Sequence, residues 1–210
     1  MLVKICGVTT VEDALFAVAM GADAVGMVLA PSARRVDADG ARRIVQELPP
    51  GALAVGVVQD ERPDVLRELL AHTGLSGLQL HGHETHAEAA ALRRHVGFLT
   101  AAFSLDDPRL ERIADYPVDA ALIDAKVPGS GTTVDWARAA RLELPVPMIL
   151  AGGLTPDNVA VAVEQVRPWG VDVASGVEAA PGRKDPALVR HFVSRAATAL
   201  SEFPPAGGHA

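Results

Sequence analysis

The sequence predicts an α/β fold, a single-domain (β/α)8 TIM barrel. Short runs rich in Val, Leu, Ile and Ala alternate from end to end with segments of helical period. Eight of each occur, a repeat of about 26 residues in a chain of 210. The runs are apolar through their length, as strands covered on both faces by helices should be. Strict alternation implies parallel strands joined by right-handed crossovers. A count of eight favours a closed ring over an open, doubly wound sheet.

The first unit joins "LVKIC" at 2–6 to a helix over 10–20, which Thr9 or Thr10 can cap. Glu12 and Asp13 suit its first turn, and Gly21 its stop. The next strands are expected at 24–29, 53–58 and 77–80, followed by helices at 37–47, 63–72 and 85–95. A fifth strand, 97–103, precedes a helix at 108–114, and a sixth, 120–124, precedes one at 135–141. The seventh strand, 147–151, leads to a helix at 156–165, where Thr155 can cap and Pro156 can take the first helical position. Asp185-Pro186 repeats that device between the eighth strand, 171–174, and a helix over 185–200. The barrel domain is thus expected over 1–200. A Pro/Gly-rich tail, "SEFPPAGGHA" at 201–210, is expected to fray.

Acidic residues outnumber basic ones, 26 to 19, and no dense Lys/Arg block appears. That argues against nucleic acid or an anionic membrane as partner, while leaving room for a local cationic pocket. One cysteine cannot form an internal disulfide. No apolar run approaches the ~18 residues of a membrane span, and the chain opens directly on a strand. A cytoplasmic protein is expected.

Active sites of this fold lie at the C-terminal ends of the strands. The polar residues there are Cys6, then Ser32, Arg34 and Arg35, Gln59 and Asp60, His81, Asp124, Gly152 and Gly153, and Ser175 and Gly176. "AGGLTPDN" and "ASGVE" follow strands seven and eight, where such barrels often hold phosphate. Glycines there let backbone N–H groups approach an anion; the plain alternative is tight turns. "PGSG" after strand six reads equally as a hinged lid or a simple loop. Asp124 closes the apolar run "AALID", where a charge is out of place as packing. Cys6 can pair with it as a proton-transferring thiol, with Lys4 lowering its pKa, although lone cysteines more often simply pack. Arg34 sits in a polar loop where it can solvate or clamp a carboxylate. His81 reads equally as structural or functional.

"KICG" at 4–7, "QLHG" at 79–82, "LIDA" at 122–125, "LAGGLTPDNV" at 150–159 and "VDVASGVEAAPGRKD" at 171–185 resemble the phosphoribosylanthranilate isomerase family. The resemblance spans nearly the whole chain in order. It implies a metal- and cofactor-free isomerase of tryptophan biosynthesis. The reaction is an Amadori rearrangement of N-(5-phosphoribosyl)anthranilate to 1-(2-carboxyphenylamino)-1-deoxyribulose 5-phosphate. Carried over by position, Cys6 is the general base and Asp124 the general acid. Arg34, which meets the anthranilate carboxylate, His81 and Asp172 bind substrate. Gly152, Gly153, Ser175 and Gly176 form the phosphate cradle, and Gly7 gives the substrate room against the backbone. The partner is then a phosphorylated small molecule, and the chain a monomer or homodimer. Two positions depart from the family: Ala33 stands where proline or lysine precedes the arginine, and Pro128 replaces a loop glycine, which stiffens that loop.

Other readings remain at this stage. A histidine-pathway phosphosugar isomerase has similar phosphate loops but carries aspartate where Cys6 stands. A non-catalytic phosphate-binding barrel needs neither Cys6 nor Asp124. An epimerase of this fold calls for a metal-binding cluster, and an aldolase for a lysine at a strand end in the barrel core; the sequence suggests neither.

Overall fold

The period-two alternation of strand side chains builds the wall of a ring. The structure, a computed structural model, describes residues 1–125 and 133–205. Its strands are β1 (Leu2–Cys6), β2 (Ala24–Val28), β3 (Leu53–Val58), β4 (Gly77–Leu80), β5 (Phe98–Phe103), β6 (Ala120–Ile123), β7 (Met148–Leu150) and β8 (Gly170–Val173). They form a closed barrel in sequence order, with β8 returning to pair in parallel with β1. The helices are α1 (Val11–Ala19), α2 (Ala38–Glu47), α3 (Pro63–Thr73), α4 (His86–Arg93), α5 (Trp136–Ala139), α6 (Val159–Val166) and α7 (Pro186–Glu202).

Two apolar layers follow from the alternation. Val3 and Ile5 of β1 face outward and join Val25, Met27, Leu78 and Phe192 in the layer under the helices. Leu2, Ala24, Val55, Leu122 and Ile149 form a smaller cluster inside the ring. Each fully buried branched side chain such as Ile5 contributes about 1.5–3 kcal/mol. The strands are less uniformly apolar than their pattern suggested. Higher in the barrel the buried residues include Lys4, Gln79, Thr100 and Asp172.

Capping chemistry sets several boundaries as expected. Thr10 accepts from the Asp13 N–H at the start of α1, and Asp185 accepts from Ala187 and Leu188 before α7. Elsewhere local rules yield. The segment expected as a helix at 108–114 is a 3₁₀ stretch, Pro108–Asp115, kinked at Arg112. The one expected at 135–141 is the single turn α5. At α6 the Thr155-Pro156 cap does not form. The helix starts at Val159, and Asn158 instead turns its side chain back to the Thr155 N–H and the Gly153 carbonyl. α7 runs to Glu202, so the first two residues assigned to the tail are helical. A small antiparallel hairpin, β9 (Glu178–Ala180) with β10 (Arg183–Lys184), follows β8 and was not expected from the sequence.

Candidate active site

The strand ends converge on a cavity of about 350 Å³, lined among others by Cys6, Arg34, Gln79, His81, Asp124 and Asp172. A recess of about 50 Å³ adjoins it, lined by Gly152, Gly153, Leu154, Val173 and Ser175. Asp124, Asp172 and Ala174 border both. The chain thus presents a larger chamber with a thiol and two carboxyls, opening beside a small glycine-walled pocket.

Cys6 reaches the chamber because it ends β1 on the same face as Leu2 and Lys4. Its neighbour across the sheet is Gly26 of β2. Burial pushes the thiol up from its ordinary value; the Lys4 charge pulls it down and Asp172 pushes it further up, leaving it raised. Gly7 sits in the left-handed region, at φ +73°, and a β-carbon there would lie 2.7 Å from Cδ of Arg34. Room for substrate against the backbone is therefore not what Gly7 provides. It lets the Arg34 stem cross the chain and carry its guanidinium to the mouth.

Asp124 follows β6 directly, and its Oδ1 accepts from the Ala125 N–H at 2.7 Å. Its Oδ2 lies 3.4 Å from His81 Nε2. Nδ1 of the same ring meets Gln79 Nε2 at 2.8 Å. With the amide nitrogen donating to Nδ1, the ring proton belongs on Nε2, facing Asp124. His81 thus lines the chamber with its ring against the Asp124 carboxyl.

Arg34 is held rather than solvated. Its Nε donates to both Glu178 oxygens, at 2.9 and 3.1 Å, and its Nη2 to Oε2 at 2.8 Å. Lys184 Nζ donates to the same carboxylate at 3.0 Å, and the Gly182 N–H at 3.2 Å. Burial pushes the Glu178 carboxyl up, but the hydrogen bond from Arg34 and the Lys184 charge outweigh it and hold the group below its ordinary value. Arg35, the neighbouring candidate, does not line the chamber.

In the recess, Gly152 and Gly153 have φ values of +78° and +65°. Asn158 ties this turn by donating to the Gly153 carbonyl at 2.9 Å. Ser175 opens a single 3₁₀ turn, Ser175–Val177, after β8. Gly176 does not line the recess. A β-carbon on it would lie 1.9 Å from the Leu154 carbonyl oxygen, so the glycine is what allows the seventh and eighth loops to meet. The "PGSG" loop and Pro128 fall within 126–132, outside the described residues.

Sequence reasoning missed several supports. Glu84, 2% exposed, accepts from the Asp60 and Gly82 N–H groups and so joins the third and fourth loops next to His81. Arg109 and Tyr116 donate to the Gly82 and Glu84 carbonyls. Only a carboxylate three residues after His81 marks this clamp in the sequence. The sequence offered Lys4 only as a charge near Cys6, and the structure places it in the barrel core, in mid-strand rather than at a strand end. Lys4, 2% exposed, lies on the inward face of β1 and pairs with Asp172 of β8 at 2.9 Å. Burial works against its charge, yet Asp172 and Cys6 raise its pKa above the ordinary value. A lysine so held is a poor Schiff-base amine, which needs its lone pair free.

Residues 3–195 match the family described as N-(5'phosphoribosyl)anthranilate (PRA) isomerase. The chain belongs to that family. A relative from Desulforudis audaxviator, an N-(5'-phosphoribosyl)anthranilate isomerase, is 44% identical over 203 residues, covering 95% of this chain and 99% of the relative. The crystal structure of phosphoribosyl anthranilate isomerase from Thermus thermophilus is 42% identical over 94% of this chain and 99% of its own, with a TM-score of 0.87. Another solved isomerase of the family, 37% identical over 94% of this chain and 100% of its own with a TM-score of 0.81, is in complex with reduced 1-(o-carboxyphenylamino)-1-deoxyribulose 5-phosphate.

Proposed function

We propose that this chain isomerises N-(5'-phosphoribosyl)anthranilate to 1-(2-carboxyphenylamino)-1-deoxyribulose 5-phosphate, a step of tryptophan biosynthesis, by an Amadori rearrangement. One observation carries the reading: Cys6, Asp124 and Arg34 border a single chamber that adjoins the glycine-walled recess. Phosphate sits in the recess among Gly152, Gly153 and Ser175, with Gly176 holding the two loops together. Arg34 takes the anthranilate carboxylate, and His81 and Asp172 line the sugar between.

Asp124, as the general acid, gives a proton to the ribose ring oxygen as the C1–O bond breaks and the nitrogen lone pair forms an iminium. The Cys6 thiolate then removes the C2 proton, and the C–H electrons flow to the iminium nitrogen, giving an enolamine. Protonation at C1 and loss of the C2 hydroxyl proton yield the ketose. A side chain fixed at a strand end supplies the close approach that proton abstraction needs. The thiol where a histidine-pathway isomerase carries aspartate favours the tryptophan-pathway substrate. The single cysteine is in keeping with the cytoplasm, and no helix among the described residues is long and apolar enough to cross a membrane.

Loss of phosphoribosylanthranilate fluorescence with purified protein tests the activity. Cys6→Ala and Asp124→Asn should each lower kcat by about 10²–10⁴-fold with folding intact. Near-full turnover by Cys6→Ala removes the base assignment, and binding without turnover by the unaltered protein points to a non-catalytic barrel.

A further inference from the structure

The base proposed above sits in a poor place to ionise. Cys6 is 7% exposed, and desolvation disfavours a thiolate. Its charged surroundings come from four elements. Lys4 shares its strand, Asp172 lies on β8, and Lys184 on β10; Arg34 arrives from the loop after β2. Asp124 and His81 border the same chamber. Glu178 holds both Arg34 and Lys184 and offsets one of their two charges, and Lys184 acts on the thiol less than Lys4 does.

Lys4 differs from these. Period-two alternation puts Lys4 and Cys6 on one face of β1, one layer apart, and the β1–β8 register sets Asp172 directly beside Lys4. Gly26 supplies the space. A β-carbon on this strand residue would lie 2.8 Å from Cys6 Sγ and 3.0 Å from Lys4 Nζ, so sulfur and ammonium share the volume that a side chain would fill. The ion pair with Asp172 uses one of the three ammonium protons.

We propose that Lys4 is a positioning residue for the base: its ammonium, anchored by Asp172 and lodged with Cys6 over Gly26, is the counter-charge that stabilises the thiolate. The proposal rests on Cys6 being the base. Gly26 then belongs to the catalytic design as empty space, and Asp172 has two opposed effects. It fixes the ammonium, and its own charge works against the thiolate. No covalent step involves Lys4.

The test is the pH dependence of kcat/KM beside the pH dependence of iodoacetamide alkylation of Cys6, in the full chain. Lys4→Met keeps the stem and removes the charge. Its acid limb should move up by about one pH unit or more, a tenfold loss near neutrality that is regained toward high pH. The alkylation profile should move with it. Because Lys4→Met leaves Asp172 buried and unpaired, Lys4→Met/Asp172→Asn is the companion that removes both charges. It should shift the same way by less. Unmoved limbs and unmoved alkylation in both variants overturn the proposal and leave Lys4 as a purely structural partner of Asp172. A shifted alkylation profile with an unmoved kinetic limb overturns the base assignment of Cys6 instead, as does retained turnover in Cys6→Ala.

Discussion

Glu178 engages the Nε–Nη2 edge of Arg34 from across 144 residues of sequence, with three contacts between 2.8 and 3.1 Å. Side-on pairing of a planar guanidinium with a carboxylate fixes the plane as well as the position of the cation. Among the described residues no hydrogen bond is made by Nη1, the edge that the proposed function assigns to the substrate carboxylate. Glu178 is in turn gripped by Lys184, itself anchored on the Ala174 carbonyl at 3.1 Å. Arg34 is therefore pre-aimed by a chain of ion pairs running back to the foot of the eighth loop. Such pre-organisation lowers the ordering cost of binding.

Glu178→Gln tests that aim. The amide keeps one acceptor but gives up the charge and the two-oxygen fork. Loss of orientation should cost about 1–2 kcal/mol of substrate binding, roughly 5–30-fold, read as a rise in KM with kcat little changed. Steady-state kinetics decide it, and a fall in kcat at constant KM would place Glu178 in the chemistry instead.

The same carboxylate has a signed pH signature in stability. Its folded pKa lies below the ordinary glutamate value of 4.5. Its contribution is thus present above about pH 4.5 and is lost as pH falls through the lower folded value. At pH 7, Glu178→Gln should destabilise by about 1–3 kcal/mol. At a pH below that folded value the gap from the unaltered protein should narrow, because there the native carboxyl is itself neutral. Urea unfolding at the two pH values measures both gaps, and an equal gap at each would mean that the charge of Glu178 adds nothing to stability.

What was legible in the sequence follows from the range of each signal. The barrel could be read because strand and helix periods are local. Asp124 stood out because a carboxylate ends an apolar run, and Cys6 because it is the sole thiol at a strand end. Lys4 was legible only as a charge two residues before Cys6, not as part of an ion pair. Only the β1–β8 register reveals Asp172 as its partner. Glu178 looked like one more residue of "ASGVE" until the fold brought Arg34 to it. At Asn158 a local rule gave the wrong answer. Thr155-Pro156 is a good helix start, but the amide is needed at the Gly153 carbonyl, and the helix begins three residues later.

Gly176 and Gly51 separate two reasons for a glycine. Gly51 is in the left-handed region, at φ +94°, with nothing within 4 Å of a built β-carbon. Gly51→Ala should therefore cost about 1–2 kcal/mol of backbone strain and leave the site untouched. Gly176→Ala drives a methyl into the Leu154 backbone, costing about 1–3 kcal/mol or more, and forces the two recess loops apart. Only the second should weaken competitive inhibition by inorganic phosphate. Thermal melts and phosphate inhibition constants measure the two effects, and equal phosphate inhibition in both variants would mean that the contact of the seventh and eighth loops does not shape the recess.

Gln79 presents the sharpest test of the Asp124 side of the chamber. It is 1% exposed, and its amide nitrogen lies 2.8 Å from His81 Nδ1. Its Oε1 is buried without a hydrogen-bond partner among the described residues. Half of the amide thus fixes the imidazole tautomer, and the other half is a buried acceptor left unpaired among the described residues. Gln79→Leu removes both halves at similar volume. His81 Nδ1 then has no donor, the ring proton can move to either nitrogen, and the contact with Asp124 Oδ2 at 3.4 Å loses its orientation. The expected result is a fall in kcat of about tenfold or more with folding retained, since the leucine fills similar volume and removes the buried, unpaired Oε1. The ¹⁵N chemical shifts of the His81 ring report the tautomer directly, as one protonated Nε2 in the unaltered protein and a mixture in the variant. Unaltered ring shifts with a lowered kcat would trace the loss to Oε1 alone, and unaltered kcat would exclude Gln79 from the reaction.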